Sequence, residues 1–148
     1  MNKFMKLAIN EAYKGIKKGH GGPFGAVIVK DGKVISKGHN HVVKNNDPTC
    51  HGEIDAIRKA CKKLKTFDLS DCEIYTTHYP CPMCFCAIRW AKIGSIHYGC
   101  NVEDTEKIGF RDKEFYEDNK FPMWLNNIDR EECLRLSEEY MKINHIMY

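Results

Sequence analysis

At 148 residues, 43% hydrophobic and 29% charged, the chain is long enough for one domain with its own core and too apolar for extended disorder. It lacks any run of about 18 apolar residues, so no membrane-spanning helix is expected. The net charge is +3, but residues 1–65 hold 14 Lys and Arg against 5 Asp and Glu, whereas residues 66–148 hold 9 against 15. The basic half reads as a solvated helix face carrying Lys59, Lys62, Lys63 and Lys65, too sparse for a nucleic-acid surface.

Elements follow from periodicity. Phe4, Leu7, Ala8, Ala12 and Ile16 recur in steps of three and four, which predicts an amphipathic helix over 3–18. The run Gly19-His20-Gly21-Gly22-Pro23 ends it. Residues 24–30 read as a buried strand, Asp31-Gly32 as a hairpin turn and Lys33 to His39 as the returning strand. Residues 40–49 read as loop. A helix is expected over 51–65, a short strand at Glu73–Thr77, a helix over 82–91 and a strand at Ser95–Gly99. Residues 101–120 are polar, with a short helix near 103–107. Phe121–Leu125 is the expected fifth strand, and a last helix covers about 129–142. This alternation predicts a single α/β domain over 1–148: a three-layer α/β/α sandwich around a central mixed five-stranded sheet.

The opening Met1-Asn2-Lys3-Phe4-Met5-Lys6 has no apolar signal-peptide core, so a cytoplasmic location is expected. In a reducing compartment the eight cysteines do not form a disulfide framework. Only Cys81 and Cys84 have metal-ligand spacing. Cys50, Cys61, Cys72, Cys86, Cys100 and Cys133 read as small buried hydrophobes.

The informative feature is His51-Gly52-Glu53 followed by Pro80-Cys81-Pro82-Met83-Cys84. His51 and the Cys81/Cys84 pair each fall at a predicted helix start, where free N–H groups favour thiolate over thiol. One His and two Cys leave the fourth position of a zinc ion open, which is the catalytic rather than the structural pattern. Glu53, two residues from a ligand, can reach that position and carry protons without being a ligand itself. A structural zinc knuckle would leave Glu53 without a task. A redox Cys-x-x-Cys would need neither His51 nor Glu53.

With these motifs the chain resembles the cytidine and deoxycytidylate deaminase superfamily, and within it the bacterial guanine deaminase branch. The resemblance runs through Gly21 to Val29, Asn46-Asp47-Pro48-Thr49, Ala56 to Cys61, Pro80 to Cys84, Ala87-Ile88, Trp90-Ala91 and Gly109-Phe110. It implies a cytidine deaminase-like fold, Zn2+ held by His51, Cys81 and Cys84, and Glu53 as the catalytic proton carrier. It further implies that Phe24 and Trp90 line a ring pocket, that Asn40 and the Gly52 backbone contact the base, and that Asp112 reads ring N–H and amino groups. The implied reaction is hydrolytic deamination of a free base, guanine to xanthine and ammonia. The implied assembly is a homodimer exchanging a C-terminal segment of about 126–148, with Tyr148 closing the partner's site.

Three positions depart from the branch. His78-Tyr79 stands where Cys-Glu is usual, and Gly52 where Ala is usual. Deamination of cytosine or another amino-substituted heterocycle therefore stays open beside guanine. A transfer-RNA adenosine deaminase shares the metal core, but residues 131–142 are acidic on balance, which suits phosphates poorly. A zinc-dependent binding protein without turnover is the remaining alternative.

Overall fold

The computed structural model describes residues 1–117, 128–143 and 146. They fall in two compact units, Met1–Glu117 and Asp118–Tyr148. In the first unit the elements are α1 (Lys3–Lys17), β1 (Gly25–Lys30), β2 (Lys33–His39), α2 (Val42–Asn45), α3 (Gly52–Leu64), β3 (Cys72–His78), α4 (Pro82–Trp90), β4 (Ser95–Cys100) and α5 (Val102–Lys107), then a 3-10 turn at Asp112–Tyr116. In the second unit the described element is α6 (Arg130–Lys142).

The sheet has four strands in the order β2-β1-β3-β4, not the five expected. β1 pairs antiparallel with both β2 and β3, and β3 pairs parallel with β4, so the sheet is mixed. After β4 the chain turns into a helix because Asn101 and Asp104 form a reciprocal capping box. The expected strand at Phe121–Leu125 lies outside the described residues.

Alternation along β1 builds the layers. Ala26 and Ile28 face α3 and α4, in a core with Ala56, Ala60, Leu69, Ile74 and Ile88. Val27 and Val29 face α1, in a second core with Phe4, Ala8 and Tyr75. One helix on one face and two on the other give the expected three layers. The ends of these elements have local causes. The Asn2 side chain accepts from the N–H groups of Phe4 and Met5 and opens α1. Asp31 and Gly32 both have positive φ, 49° and 69°, as a tight hairpin turn requires.

Residues 40–49 contain the single helical turn α2, where loop was expected. Asn40 Oδ1 accepts from Val42 N–H at 3.0 Å and starts it. Four residues are too few to show a 3.6-residue period. Asp47 then closes the loop, its Oδ1 accepting from both the N–H and the hydroxyl of Thr49.

The approach of α3 to β2 positions the site. A Cβ on Gly38 would lie 2.4 Å from Gly52 O and 2.5 Å from Ala56 N, so glycine lets the α3 backbone rest directly on the strand. Ser36 Oγ fastens the same helix by donating to Ala56 O at 2.7 Å.

Candidate metal centre and active site

His51 is the N-cap of α3 and Cys81 the N-cap of α4, yet neither caps its helix with its side chain. The side chains face each other instead. His51 Nδ1 stands 3.6 Å from Cys81 Sγ and 3.5 Å from Cys84 Sγ. A tetrahedral zinc with Zn–N of about 2.0–2.1 Å and Zn–S of about 2.3 Å sets N and S roughly 3.6 Å apart. Both N–S edges therefore already have the length found in a zinc site, and the three ligand atoms lie within 4.8 Å of one another. Pro82 at the first helical position costs no hydrogen bond there and directs the turn that brings Cys84 back beside Cys81.

The electrostatics suit a cation. Cys81 is held down to about 4, first by the Cys84 thiol donating to it, and further by His51 and the Cys84 backbone N–H; burial acts the other way. Cys84 is pushed up for the complementary reason, since two buried thiols without a cation can share only one negative charge. His51 is raised, chiefly by its hydrogen bond to Cys81. Glu53 is buried on the first turn of α3, and desolvation lifts its carboxyl above the usual range.

These groups open into a cavity of about 330 Å³. Phe24, Phe110 and Phe115 supply apolar wall, and Asn40, Glu53 and Asp112 supply polar groups. Phe24 packs edge-on against Phe110, with ring centroids 4.7 Å apart, and against His78 at 4.9 Å. Asn40 is 4% exposed. Its Oδ1 is committed to the Val42 N–H, so its NH2 is the group it offers to a ring. Asp112 reaches the cavity from the 3-10 turn. Desolvation raises its carboxyl first, and the negative charge of Cys81 adds to this.

The family model for the cytidine and deoxycytidylate deaminase zinc-binding region matches residues 1–100. The chain belongs to this family. It is 49% identical over 115 residues to the guanine deaminase of Bacillus subtilis, spanning 78% of this chain and 74% of that one. A tRNA-specific adenosine deaminase from Aquifex aeolicus is 45% identical over 93 residues, 63% of this chain and 61% of that protein. The crystal structure of guanine deaminase from Bacillus subtilis matches with a TM-score of 0.88 at 39% identity, covering 100% of this chain and 99% of that one.

Against this deaminase frame, His51, Glu53, Cys81, Phe24, Asn40 and Asp112 all line one cavity, with Cys84 buried behind it. Trp90 does not join them. It is the last residue of α4, 66% exposed, and the cavity wall expected of it is supplied by Phe110 and Phe115. Gly52 is buried under the wall rather than in it, and a Cβ there would stand 2.8 Å from Phe24 O. Tyr148 lies outside the described residues.

Phe115 and Thr77 line the cavity without having been singled out in the sequence. Tyr116 donates its hydroxyl to Pro80 O, which ties the 3-10 turn to the start of α4 beside Cys81. The one signal for this wall was Gly109-Phe110-Arg111-Asp112, which shows nothing of the turn after it. His78 and Tyr79 also line the cavity. His78 accepts from or donates to Thr77 Oγ1 at 3.1 Å, and burial lowers its pKa, so the ring stands there neutral. Tyr79 packs edge-on against Tyr98 and Tyr116. The described cysteines, Cys50, Cys61, Cys72, Cys81, Cys84, Cys86 and Cys100, are free; Cys50 and Cys72 are buried as expected, Cys61 and Cys100 only partly, and Cys86 is exposed. Among the described residues no helix is long and apolar enough to cross a membrane.

Proposed function

We propose that the chain is a zinc-dependent aminohydrolase that converts guanine to xanthine and ammonia. One observation carries this reading. The His51–Cys81–Cys84 triangle and Glu53 open into the same apolar-walled cavity as one amide NH2, on Asn40, and one carboxyl, on Asp112. Guanine carries acceptors at O6 and N7 and donors at N1 and its 2-amino group. Asn40 suits the first pair and Asp112 the second. The match to a guanine deaminase over nearly the whole of both chains points the same way.

His51, Cys81 and Cys84 would hold the zinc, which when bound supplies the Lewis acidity that makes water a nucleophile near neutral pH. The chain's own groups do the rest. Phe24 and Phe110 exclude water from the faces of a flat ring. Glu53, buried and raised, accepts a proton from the attacking water, passes it to the ring nitrogen and then assists the departing amine.

The test is ammonia release from the zinc-loaded chain with guanine, cytosine, adenine, guanosine, cytidine and an anticodon-loop RNA. Turnover of guanine alone is expected. Turnover of another base with none of guanine would retain the zinc chemistry and overturn the substrate. Turnover of the RNA would favour the adenosine-editing relatives, although α6 with its four glutamates is poorly suited to phosphates.

The proposal extends to a cytoplasmic homodimer in which the segment of about 126–148 is exchanged, with Tyr148 of one chain over the cavity of the other. Its support is α6 with its C-cap, where Leu136, Met141 and Ile143 are 73%, 64% and 59% exposed, apolar surface that a second chain would cover. Mixing Glu53→Gln chains with Tyr148→Ala chains is expected to regenerate turnover, because an exchanged heterodimer holds one intact site. Failure of every mixture to exceed its parents, with heterodimer present by mass, would sink the exchange.

A further inference from the structure

A second group of metal-binding side chains lies away from the cysteines. His20, His39 and His41 bring one ring nitrogen each within 4.8 Å of one another. The rings are crowded and nearly parallel: centroids of His39 and His41 are 4.1 Å apart at 24°, His20 and His41 5.0 Å at 31°, and His20 and His39 5.2 Å at 19°, so the His41 ring turns out of its stack on His39 when it ligates. His39 is 5% exposed, and room for its ring exists only because Gly15 of α1 lacks a side chain: a Cβ there would lie 2.6 Å from His39 Cδ2.

The neighbours fix which nitrogens are free to ligate. His39 Nδ1 faces the buried Glu11 Oε2 at 3.1 Å, and a carboxylate can only accept, so Nδ1 carries the proton and Nε2 carries the lone pair. His41 Nδ1 faces His39 O at 2.7 Å, so it too is protonated, and its Nε2 is bare. A histidine held by a carboxylate or carbonyl on its far nitrogen is the arrangement that orients metal-bound imidazoles. His20 is anchored through its carbonyl, which accepts from the N–H groups of Val43 and Lys44. Its Nδ1 stands 2.9 Å from His39 Nε2. Two zinc-bound nitrogens stand roughly 3.3 Å apart, so the ion would replace the proton shared by this pair with a shift of a few tenths of an ångström.

Three lysines and two carboxylates surround the rings. Lys14 and Lys37 lie on the other oxygen of Glu11, at 3.3 and 4.0 Å, and Lys59 pairs with Asp55, whose Oδ2 is also 3.7 Å from His41 Nδ1. His20 and His41 are only partly buried, so the site has an entrance.

We infer that His20, His39 and His41, oriented by Glu11, form a second binding site for a divalent transition-metal ion of the zinc class, separate from the His51–Cys81–Cys84 centre. Three imidazoles suit Zn2+, Co2+, Ni2+ or Cu2+ and do not suit Mg2+ or Ca2+. Asn40 lies between two of the ligands, so occupancy also stiffens that wall of the cavity.

The test titrates the metal-free full chain with Co2+ and counts bound metal. Thiolate-to-cobalt absorption in the near ultraviolet follows the cysteine site. Two equivalents per chain are expected, only one of which raises that band. His20→Gln and His41→Gln, both at partly exposed positions, remove the silent equivalent and leave the band. Glu11→Gln weakens the silent equivalent by about 10- to 100-fold and leaves the band at the same midpoint. A single equivalent in the wild-type chain, or a silent equivalent that survives in the His20→Gln/His41→Gln double variant, overturns the site.

Discussion

Glu53→Gln lowers kcat for guanine by about 10²- to 10⁴-fold, the range lost when a general acid–base group is removed, while zinc content and thermal midpoint stay near those of the parent chain. At 1.36 kcal/mol per tenfold, this is about 3–5 kcal/mol of transition-state stabilisation. Gln keeps the shape and the hydrogen-bonding atoms of Glu but cannot carry a proton. Folding loses little, because a buried carboxyl already raised by desolvation is replaced by a neutral amide of equal size. The metal ligands are untouched, since Glu53 sits two residues beyond His51 and adds no atom to the His51–Cys81–Cys84 group. Turnover, metal content and melting are measured on the same preparation. A kcat within a few fold of the parent, with zinc bound, would remove Glu53 from the chemistry.

Removing the zinc, by chelation or by Cys84→Ser, abolishes turnover and leaves the chain folded. Its loss of activity exceeds that of Glu53→Gln, because water then keeps its bulk acidity and the whole source of nucleophile is gone. The fold survives because its two cores do not run through the metal. One is built on Ala26, Ile28, Ile74 and Ile88, the other on Phe4, Ala8, Val27 and Val29. Stability still falls by linkage. An ion at a thousandfold excess over its Kd contributes about 4 kcal/mol, which for a chain of this size is roughly 8–16 °C in Tm. Far-ultraviolet circular dichroism and melting with and without chelator check both halves. Loss of the helical signal on chelation at 25 °C would make the metal a structural staple of the domain.

Much of this chain is written in short-range signals. Residues at steps of three and four marked α1 and α3, Asp31-Gly32 marked the hairpin, and the spacing His51-x-Glu53 with Pro80-Cys81-x-x-Cys84 marked the metal chemistry. In each case a few neighbouring residues decide the outcome, through helix period, turn geometry or the bite of a ligand pair. Where the deciding contact is distant, the sequence misled. The resemblance puts Trp90 in the ring pocket, yet it ends α4 exposed, and Phe110 and Phe115 wall the cavity instead. The strand count failed for a related reason. Pairing partners are set across the sheet; the described sheet has four strands, and Phe121–Leu125 lies outside the described residues.

The sequence by itself marked the His and Cys cluster and the alternating layers, because each depends on residue identity at fixed local spacing. Only the tertiary structure decided that His51 Nδ1 and the two thiols stand at zinc distances. Only it showed that Asn40 presents its NH2 and that His20 meets His39 and His41. Those facts arise where α1, β2 and the starts of α3 and α4 converge, at glycines such as Gly15, Gly38 and Gly52 that let backbones and rings approach where a side chain would collide. A glycine in a sequence is permission for a close contact, and the packing of the whole chain decides what makes it.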